Sequence, residues 1–138
     1  MSAGDEAQIA SRWLSYAQED LQVADRLLAQ DDLAPRYACW LSQQAAEKAL
    51  KALLLLETGT YKQTHDLHDL ADLLPEALDG RIPRSGLSLL TQLYIESRYP
   101  GRYAEATAEA AATARAAARA VYDAVSGEFR HRGIAAET

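Results

Sequence analysis

The spacing of apolar residues constrains the fold of this chain more than any other feature of its sequence. Apolar side chains recur every three or four positions over long stretches, whereas runs that alternate apolar and polar residues are missing and β-branched residues are scarce. A repeat of this length places the apolar side chains on one face of a helix. The pattern therefore predicts an all-α fold.

Five helical segments can be assigned from this spacing and from residues that begin or end helices. They cover roughly residues 8–30, 35–57, a short stretch that begins near 66, 84–97 and 105–126. Asp66 is suited to capping the third segment, and Pro75 should break or restart it. Short loops between long helices favour antiparallel neighbours, so we expect an up-and-down bundle of four to five helices.

Length and cysteine content bound the domain organisation. The chain has 138 residues, which is typical of one domain, so we expect a single helical domain over residues 1–138 with a core at about 8–126 and a frayed tail at 133–138. The single cysteine, Cys39, excludes an intrachain disulfide and a cysteine-based zinc site.

The longest apolar run, 53–56, is too short for a membrane span, and no signal peptide is recognisable, so we expect a cytoplasmic protein.

The charge balance argues against a protein that coats nucleic acid. The net charge is -6 at pH 7 and the pI is about 5.0, whereas binding along duplex phosphates favours a basic face. A local basic site is compatible with this balance, because Arg98 and Arg102 lie close together in the sequence.

One charged residue falls on the face of the first helix that is expected to pack. At about 100° per residue, the apolar arc of this helix consists of Ile9, Trp13, Tyr16, Ala17, Leu21, Ala24, Leu27 and Leu28. Asp20 lies inside this arc, and a buried carboxylate needs a partner or must become neutral. We therefore expect Asp20 to face a cation or several hydrogen-bond donors.

The second helix offers such a cation. Lys48 lies within a broad apolar face, and the spacing of Gln44, Lys48 and Lys51 projects these three side chains to the same side. Two interpretations stay open. Asp20 and Lys48 can form a buried ion pair that fixes the register of the two helices, with Gln44 in the same polar network, or the polar residues can form a strip that binds a ligand.

Two further clusters lie where helices are expected to begin or end. His65 and His68 precede or open the third helix, where a helix N-terminus can hold a phosphate and where a histidine can also cap or pack. Arg98 can complement the dipole at the end of the fourth helix, or its guanidinium can bind a phosphate or a carboxylate of a partner. Tyr99, held by Pro100, can stack on a base or pack. No acidic or thiol set accompanies the two histidines, so we expect no metal site.

Several of these residues occur in an order that resembles a known family. The order is Trp13, Ala17 and Asp20-Leu21, then Gln-Gln-Ala-Ala-Glu-Lys-Ala-Leu-Lys-Ala-Leu at 43–53, Thr-His-Asp-Leu at 64–67 and Ser-Arg-Tyr-Pro at 97–100. Over about residues 8–126 this resembles the HEPN family of prokaryotic helical proteins. The resemblance implies a bundle of four or five helices that is often a homodimer. It also implies a gene beside, or fused to, a minimal nucleotidyltransferase, and many such pairs are toxin–antitoxin systems.

Some members of that family are metal-independent ribonucleases. Their signature is an arginine followed, after four to six residues, by a histidine, because the arginine holds the scissile phosphate while the histidine moves a proton. This chain departs from the signature, since no arginine precedes His65, His68 or His131 at that spacing. It resembles instead the branch with Arg-Tyr-Pro, here at 98–100. The residues that carry over to a nucleotide- or RNA-facing cleft are Asp20, Gln44, Lys48, Lys51, His65, Arg98 and Tyr99.

Three functions stay open on the sequence alone. The first, which we favour, is a dimeric binding module that partners a nucleotidyltransferase or binds a nucleotide or RNA at the dimer groove, with Lys51, His65, Arg98 and Tyr99 as the ligand-binding residues. The second is a metal-independent ribonuclease toxin with a non-standard set such as His65 and Arg98. The third is a purely structural helical adaptor. No phosphate loop or set of residues for nucleophilic catalysis is present, so we expect no cofactor and no standard catalytic site.

Overall fold

Six helices form the bundle in the computed structural model, which describes residues 2–135. They are α1 (Ala3–Leu28), α2 (Arg36–Thr58), α3 (Leu67–Asp72), α4 (Glu76–Asp79), α5 (Leu87–Glu96) and α6 (Ala108–His131). The described residues contain no strand, so the predicted all-α class is confirmed. The extra helix is α4, a single short turn that begins after Pro75, where the sequence predicts a break or a restart.

Local capping sets the ends of the helices that surround the loop between α2 and α3. Asp66 caps α3 as predicted, because its side chain accepts hydrogen bonds from the backbone N–H groups of His68 and Asp69. Gly59 ends α2 with a φ of 76°, a left-handed conformation that glycine adopts without steric cost. The two ends hold the short connection between α2 and α3 in place.

Two helices are longer than the sequence predicts. α1 begins at Ala3, because Ser2 and Asp5 form a reciprocal capping box ahead of Ile9, where the predicted apolar arc begins. α6 continues past residue 126, because Val125 and Phe129 are buried and extend its apolar face by another turn. Polar residues between them, such as Ser126, mask this periodicity in the sequence.

The chain after α6 turns back onto the bundle as far as it is described. Ile134 donates its backbone N–H to the carbonyl of Phe129 at 3.0 Å, and the hydroxyl of Ser11 donates to the carbonyl of Ala135 at 3.2 Å. The last part of the tail that is expected to fray, residues 136–138, lies outside the described residues.

The face that α1 buries differs from the predicted one. Ala10, Leu14, Ala17, Leu21 and Ala24 are buried, whereas two members of the predicted arc, Ile9 and Tyr16, are exposed at 39% and 50%. The reason is steric, since a row of small alanines lets the backbones of α1 and α2 approach closely and leaves the bulkier side chains outside. Asp20 consequently lies at the edge of the α1–α2 contact.

α2 is the central helix, because it packs against α1, α3, α5 and α6. A helix enclosed by four neighbours must bury almost its whole circumference, including polar positions. Four polar residues of α2 are accordingly almost fully buried: Ser42, Gln43, Glu47 and Lys51. None of the helices in residues 2–135 is both long and apolar enough to cross a bilayer.

The alanine-rich α6 packs closely against the start of α5. Ala111, Ala114 and Ala118 are buried in the core. At Gly86, the residue before α5, an added Cβ would lie 2.4 Å from the Cβ of Ala117. Only a hydrogen atom fits at this position, so the crossing of α5 over α6 depends on Gly86.

Gly86→Ala should destabilise the protein by about 1–3 kcal/mol, because the added methyl group must push α5 away from α6. The backbone at Gly86 has a φ of -94°, which alanine adopts readily, so the effect is purely steric. Urea denaturation followed by circular dichroism measures the change.

The matched control is Gly80→Ala, where an added Cβ meets no atom within 4 Å and φ is -70°. This variant should be neutral or more stable by up to about 1 kcal/mol. Equal effects of the two substitutions would show that the close approach of α5 and α6 does not limit stability.

Candidate functional site

An ion pair joins the middle of α1 to the middle of α2. Lys48 Nζ lies 2.6 Å from Asp20 Oδ2, and the two side chains are 24% and 17% exposed. Burial raises the pKa of Asp20 above its ordinary value, although the hydrogen bond and the charge of Lys48 act in the opposite direction. The predicted contact is therefore present, but the cost of desolvation outweighs the attraction in its effect on Asp20.

Gln44 does not join this pair. Its side-chain amide instead donates to Oε1 of Gln43 at 2.8 Å, on the way to a second polar network. Gln44, Lys48 and Lys51 project to the same side of α2, but each side chain has a different partner. Helix periodicity gives the direction of a side chain, but the neighbouring helices decide which partner it meets.

The second network is centred on the buried carboxylate of Glu47. Gln43 Nε2 lies 3.1 Å from Glu47 Oε1, and Lys51 Nζ lies 3.0 Å from Glu47 Oε2. Gln43 also donates to the backbone carbonyl of His65 at 2.9 Å. We call Gln43, Glu47, Lys51 and His65 the Glu47 network. The sequence reasoning missed Gln43 and Glu47, although both precede Lys51 at intervals of four residues on the central helix.

His65 connects this buried network to the surface. Its Nδ1 lies 2.7 Å from Glu47 Oε1, while its side chain is 57% exposed. A carboxylate partner favours the tautomer in which Nδ1 carries the proton, which leaves Nε2 as a hydrogen-bond acceptor. Within residues 2–135 no side chain forms a hydrogen bond with Nε2. α2 therefore fixes both the backbone and the ring of His65 and leaves one nitrogen free.

A tyrosine near the end of α5 lies beside this histidine and also contacts an arginine that follows the helix. The ring of Tyr94 lies 5.2 Å from the ring of His65, and the guanidinium of Arg98 lies 5.2 Å from the centre of the Tyr94 ring. Arg98 Nη1 also donates to the hydroxyl of Tyr94 at 3.2 Å. Tyr94 thus contacts two groups of different chemistry, an imidazole and a guanidinium. We call His65, Tyr94 and Arg98 the His65 cluster.

Lys51 lies behind the cluster rather than on its surface. The residue is 5% exposed, and its Nζ lies 5.1 Å from the ring of Tyr61 and 5.9 Å from that of Trp13. These two rings meet edge to face at 5.1 Å. The ammonium group is therefore enclosed by Glu47 and two aromatic faces, an arrangement that stabilises a desolvated cation.

Tyr99 and His68 belong to other surroundings. Tyr99 lines a separate cavity of about 190 Å³ together with Arg36, Tyr103 and Glu105. His68 Nε2 lies 2.9 Å from the hydroxyl of Ser88 on α5. Among the described residues, no three histidine, cysteine, aspartate or glutamate side chains gather in a way that could hold a metal ion.

The His65 cluster offers two chemical abilities at the surface of an acidic protein, and the buried Glu47 supports one of them. The guanidinium of Arg98 can hold a phosphate through paired N–H groups. The free Nε2 of His65 can accept a hydrogen bond or a proton. Glu47 keeps the imidazole oriented, as a carboxylate does in many sites where a histidine exchanges protons. The arrangement is suited to a phosphate-bearing ligand with a hydroxyl group nearby.

Known proteins resemble this chain in both sequence and fold. A family model described as the HEPN domain matches residues 10–128. The crystal structure of TT1696 from Thermus thermophilus is similar, with 31% sequence identity, a TM-score of 0.75 and coverage of 86% of this chain and 97% of that chain. No curated protein sequence shows a significant match. The matched range contains every residue of the Glu47 network and of the His65 cluster.

Replacing the buried lysine of the Glu47 network should cost more stability than replacing its half-buried neighbour. Lys51→Met leaves the 6% exposed carboxylate of Glu47 without its cation, and we expect a loss of about 3–5 kcal/mol. Lys48→Met leaves Asp20 with partial access to water, so we expect about 1–3 kcal/mol. Urea denaturation of both variants gives the comparison, and a larger loss for Lys48→Met would contradict the assignment of Glu47 as the more costly buried charge.

Asp20 should also leave a signature in the pH dependence of stability. Because the pKa of Asp20 is raised in the folded state, the folded protein binds a proton at pH values where the unfolded chain does not. Stability contributed by this group therefore rises as pH falls through the raised pKa toward the ordinary value of 3.8. We therefore compare the free energy of unfolding of the wild type with that of Asp20→Asn. The wild-type value minus the variant value should increase as the pH falls from 7 to 4. A constant difference over this range would mean that burial does not control the titration of Asp20.

Proposed function

The chain belongs to the HEPN domain family, and we propose on that basis that it is a nucleotide- or RNA-linked binding module whose working surface is the His65 cluster. In this proposal it acts as a homodimer beside a minimal nucleotidyltransferase, in a toxin–antitoxin-type pair. The single observation that carries the proposed surface is the exposed imidazole of His65, which is held by Glu47 and contacts Tyr94, the ring that also contacts Arg98.

The contacts of Arg98 support its role as the phosphate-binding residue. Several arginines of this chain have carboxylate partners: Arg36, Arg81, Arg84, Arg115, Arg119 and Arg132. Within residues 2–135, Arg98 has none and contacts Tyr94. Only one of its five N–H donors is used in the bond to Tyr94, so a bidentate bond to a phosphate remains open. A cation held in place by an aromatic ring rather than by a carboxylate keeps its charge available for an anion.

His65 supplies the second contact in this proposal. Its carbonyl and Nδ1 are both held by α2, so the ring loses little further freedom when a ligand binds. Its Nε2 can accept a hydrogen bond from a ribose hydroxyl, which gives a ligand with both phosphate and sugar an advantage over free phosphate. Lys51 acts indirectly, because its charge offsets that of Glu47.

Tyr99 offers a place for a base on the far side of the same turn. Tyr99 and Tyr103 are both 46% exposed and line one cavity, and flat aromatic surfaces of this kind stack on bases of any sequence. Arg98 precedes Tyr99 directly, so a nucleotide held by its phosphate at Arg98 can place its base toward Tyr99. This arrangement favours single-stranded nucleic acid or a nucleotide over a duplex.

A metal-independent ribonuclease is the second candidate, and the Glu47–His65 contact favours it. An imidazole oriented by a carboxylate can take the proton of a 2′-hydroxyl, while Arg98 stabilises the charge that develops on the phosphate. It ranks second because the arginine of the ribonuclease signature is absent at the expected spacing before His65. Cleavage of RNA in the presence of a chelator separates this activity from binding alone.

Arg98→Ala should weaken the binding of adenosine triphosphate and of a labelled single-stranded RNA by roughly tenfold, or about 1–2 kcal/mol, through loss of a charge-assisted contact. The melting temperature should change little, because the Arg98 side chain lies at the end of α5 rather than in the core. Isothermal titration calorimetry and thermal melting measure both effects, and titration with the protein encoded beside this gene tests the partner.

Arg119→Ala is the matched control for this experiment. Arg119 also lies over a tyrosine ring, with its guanidinium 5.6 Å from the centre of Tyr122, but it pairs with Asp123 on α6. This control should bind both ligands as the wild type does. If Arg98→Ala lowers the melting temperature and leaves binding per folded molecule unchanged, Arg98 is a structural cap and the proposed surface is wrong. RNA that is cleaved by the wild type and stays intact with His65→Ala would favour the second candidate.

A further inference from the structure

The outward face of α1 carries an apolar row that no other helix of the bundle covers. Ile9, Tyr16 and Val23 are spaced seven residues apart, which is close to two helical turns, so they lie on one line along about 21 Å of the helix. All three side chains are exposed. Beside them, Ile9, Tyr16 and Lys48 help to line a shallow groove of about 380 Å³ between α1 and α2.

A row of charges runs along one flank of these apolar residues with the same spacing. It consists of Asp5, Arg12, Glu19 and Arg26, so the sign alternates at each step of seven residues. All four residues are exposed. Within residues 2–135, the side chains of Arg12, Glu19 and Arg26 form no hydrogen bond or ion pair, whereas Asp5 belongs to the capping box. Three long charged side chains thus stand beside an exposed apolar row without a partner of their own.

We propose that this face of α1 docks on the same face of a second copy, with the two α1 helices antiparallel and Tyr16 at the twofold axis. The proposal rests on the homodimer included in the proposed function, and it assigns the contact surface. In such an arrangement Ile9 lies opposite the partner's Val23. Arg12 lies opposite the partner's Glu19, and Asp5 lies opposite the partner's Arg26.

The charge pattern favours a second copy over any other occupant. A twofold contact requires a surface that is complementary to itself, so that residue i meets residue j and j meets i. Along α1 the charges run negative, positive, negative, positive. In the antiparallel partner they run in the reverse order, so each negative side chain faces a positive side chain of the partner. In a parallel twofold pair the charged rows of the two copies would lie on opposite flanks of the contact, so their complementary charges would not meet. The centre of the charged row lies between Arg12 and Glu19, which agrees with a twofold axis at Tyr16.

The native cysteine allows a direct test of this geometry. Cys39 is buried, and burial raises the pKa of its thiol to about 11, so it does not compete in oxidation at neutral pH. A cysteine at position 16 would face its own copy across the axis. We expect Tyr16→Cys to form a disulfide-linked dimer of twice 15.1 kDa under mild oxidation. Ala112→Cys, on the exposed side of α6, should stay monomeric on a denaturing non-reducing gel.

Charge reversal tests which residues face each other. Arg12→Glu and Glu19→Arg should each weaken the dimer by at least about tenfold at low salt, because each creates two repulsive contacts per dimer. The double variant Arg12→Glu, Glu19→Arg should restore the affinity of the wild type. The two residues are seven positions apart on one helix and do not touch within a chain, so rescue reports a contact between chains. Sedimentation equilibrium measures all four proteins.

These measurements separate the proposed α1 interface from the existence of a homodimer. A wild type that stays at 15.1 kDa at high micromolar concentration overturns both the homodimer and this interface. A dimeric wild type whose affinity is unchanged by either reversal, and whose Tyr16→Cys variant does not cross-link, overturns the interface and leaves the homodimer standing. Ligand binding at Arg98 is measured separately and is unaffected by which of these results is obtained.

Discussion

The carboxylate of Glu47 is the group on which the candidate site depends. Glu47 belongs to the central helix of the bundle, and its side chain is buried. An isolated charge is strongly unfavourable there, so neighbouring groups must neutralise or hydrogen-bond this carboxylate. Lys51 supplies the opposite charge, Gln43 supplies a neutral donor, and His65 supplies a ring N–H. Of these, only His65 reaches the surface. The requirement to neutralise one buried charge therefore determines where an exposed imidazole lies and how it is oriented.

The same requirement ties the site to the rest of the fold. His65 lies just before α3, and its neighbour Asp66 caps that helix, so the position of α3 is fixed by the network in α2. Tyr94 and Arg98 come from the end of α5, which reaches its position by packing closely on α6 at Gly86. The cluster thus combines residues that are distant in sequence, and each is held by a contact made deeper in the bundle.

Much of this architecture can be predicted from the sequence, and the parts that cannot have a common cause. Helix type, the cap at Asp66 and the contact of Asp20 with Lys48 follow from local periodicity and from the cost of burying charge. The face of α1 that packs, and the importance of Glu47, do not. Both depend on how closely two helices approach, which is decided by the sizes of side chains on both partners at once. Tyr94 is missed for the same reason, because an aromatic residue in an apolar helix gives no sign of the cation beside it.

The packing of the two tryptophans gives this protein an optical reporter of its candidate site. The indole of Trp13 meets Tyr61 edge to face and lies 5.9 Å from the ammonium of Lys51, whereas Trp40 is 44% exposed on α2. The emission of Trp13 is sensitive to the electric field of that nearby charge, while that of Trp40 responds mainly to water. The tryptophan fluorescence of the folded chain is consequently a sum of two signals with different origins. A change that reaches the Glu47 network shifts one of them and leaves the other as an internal reference.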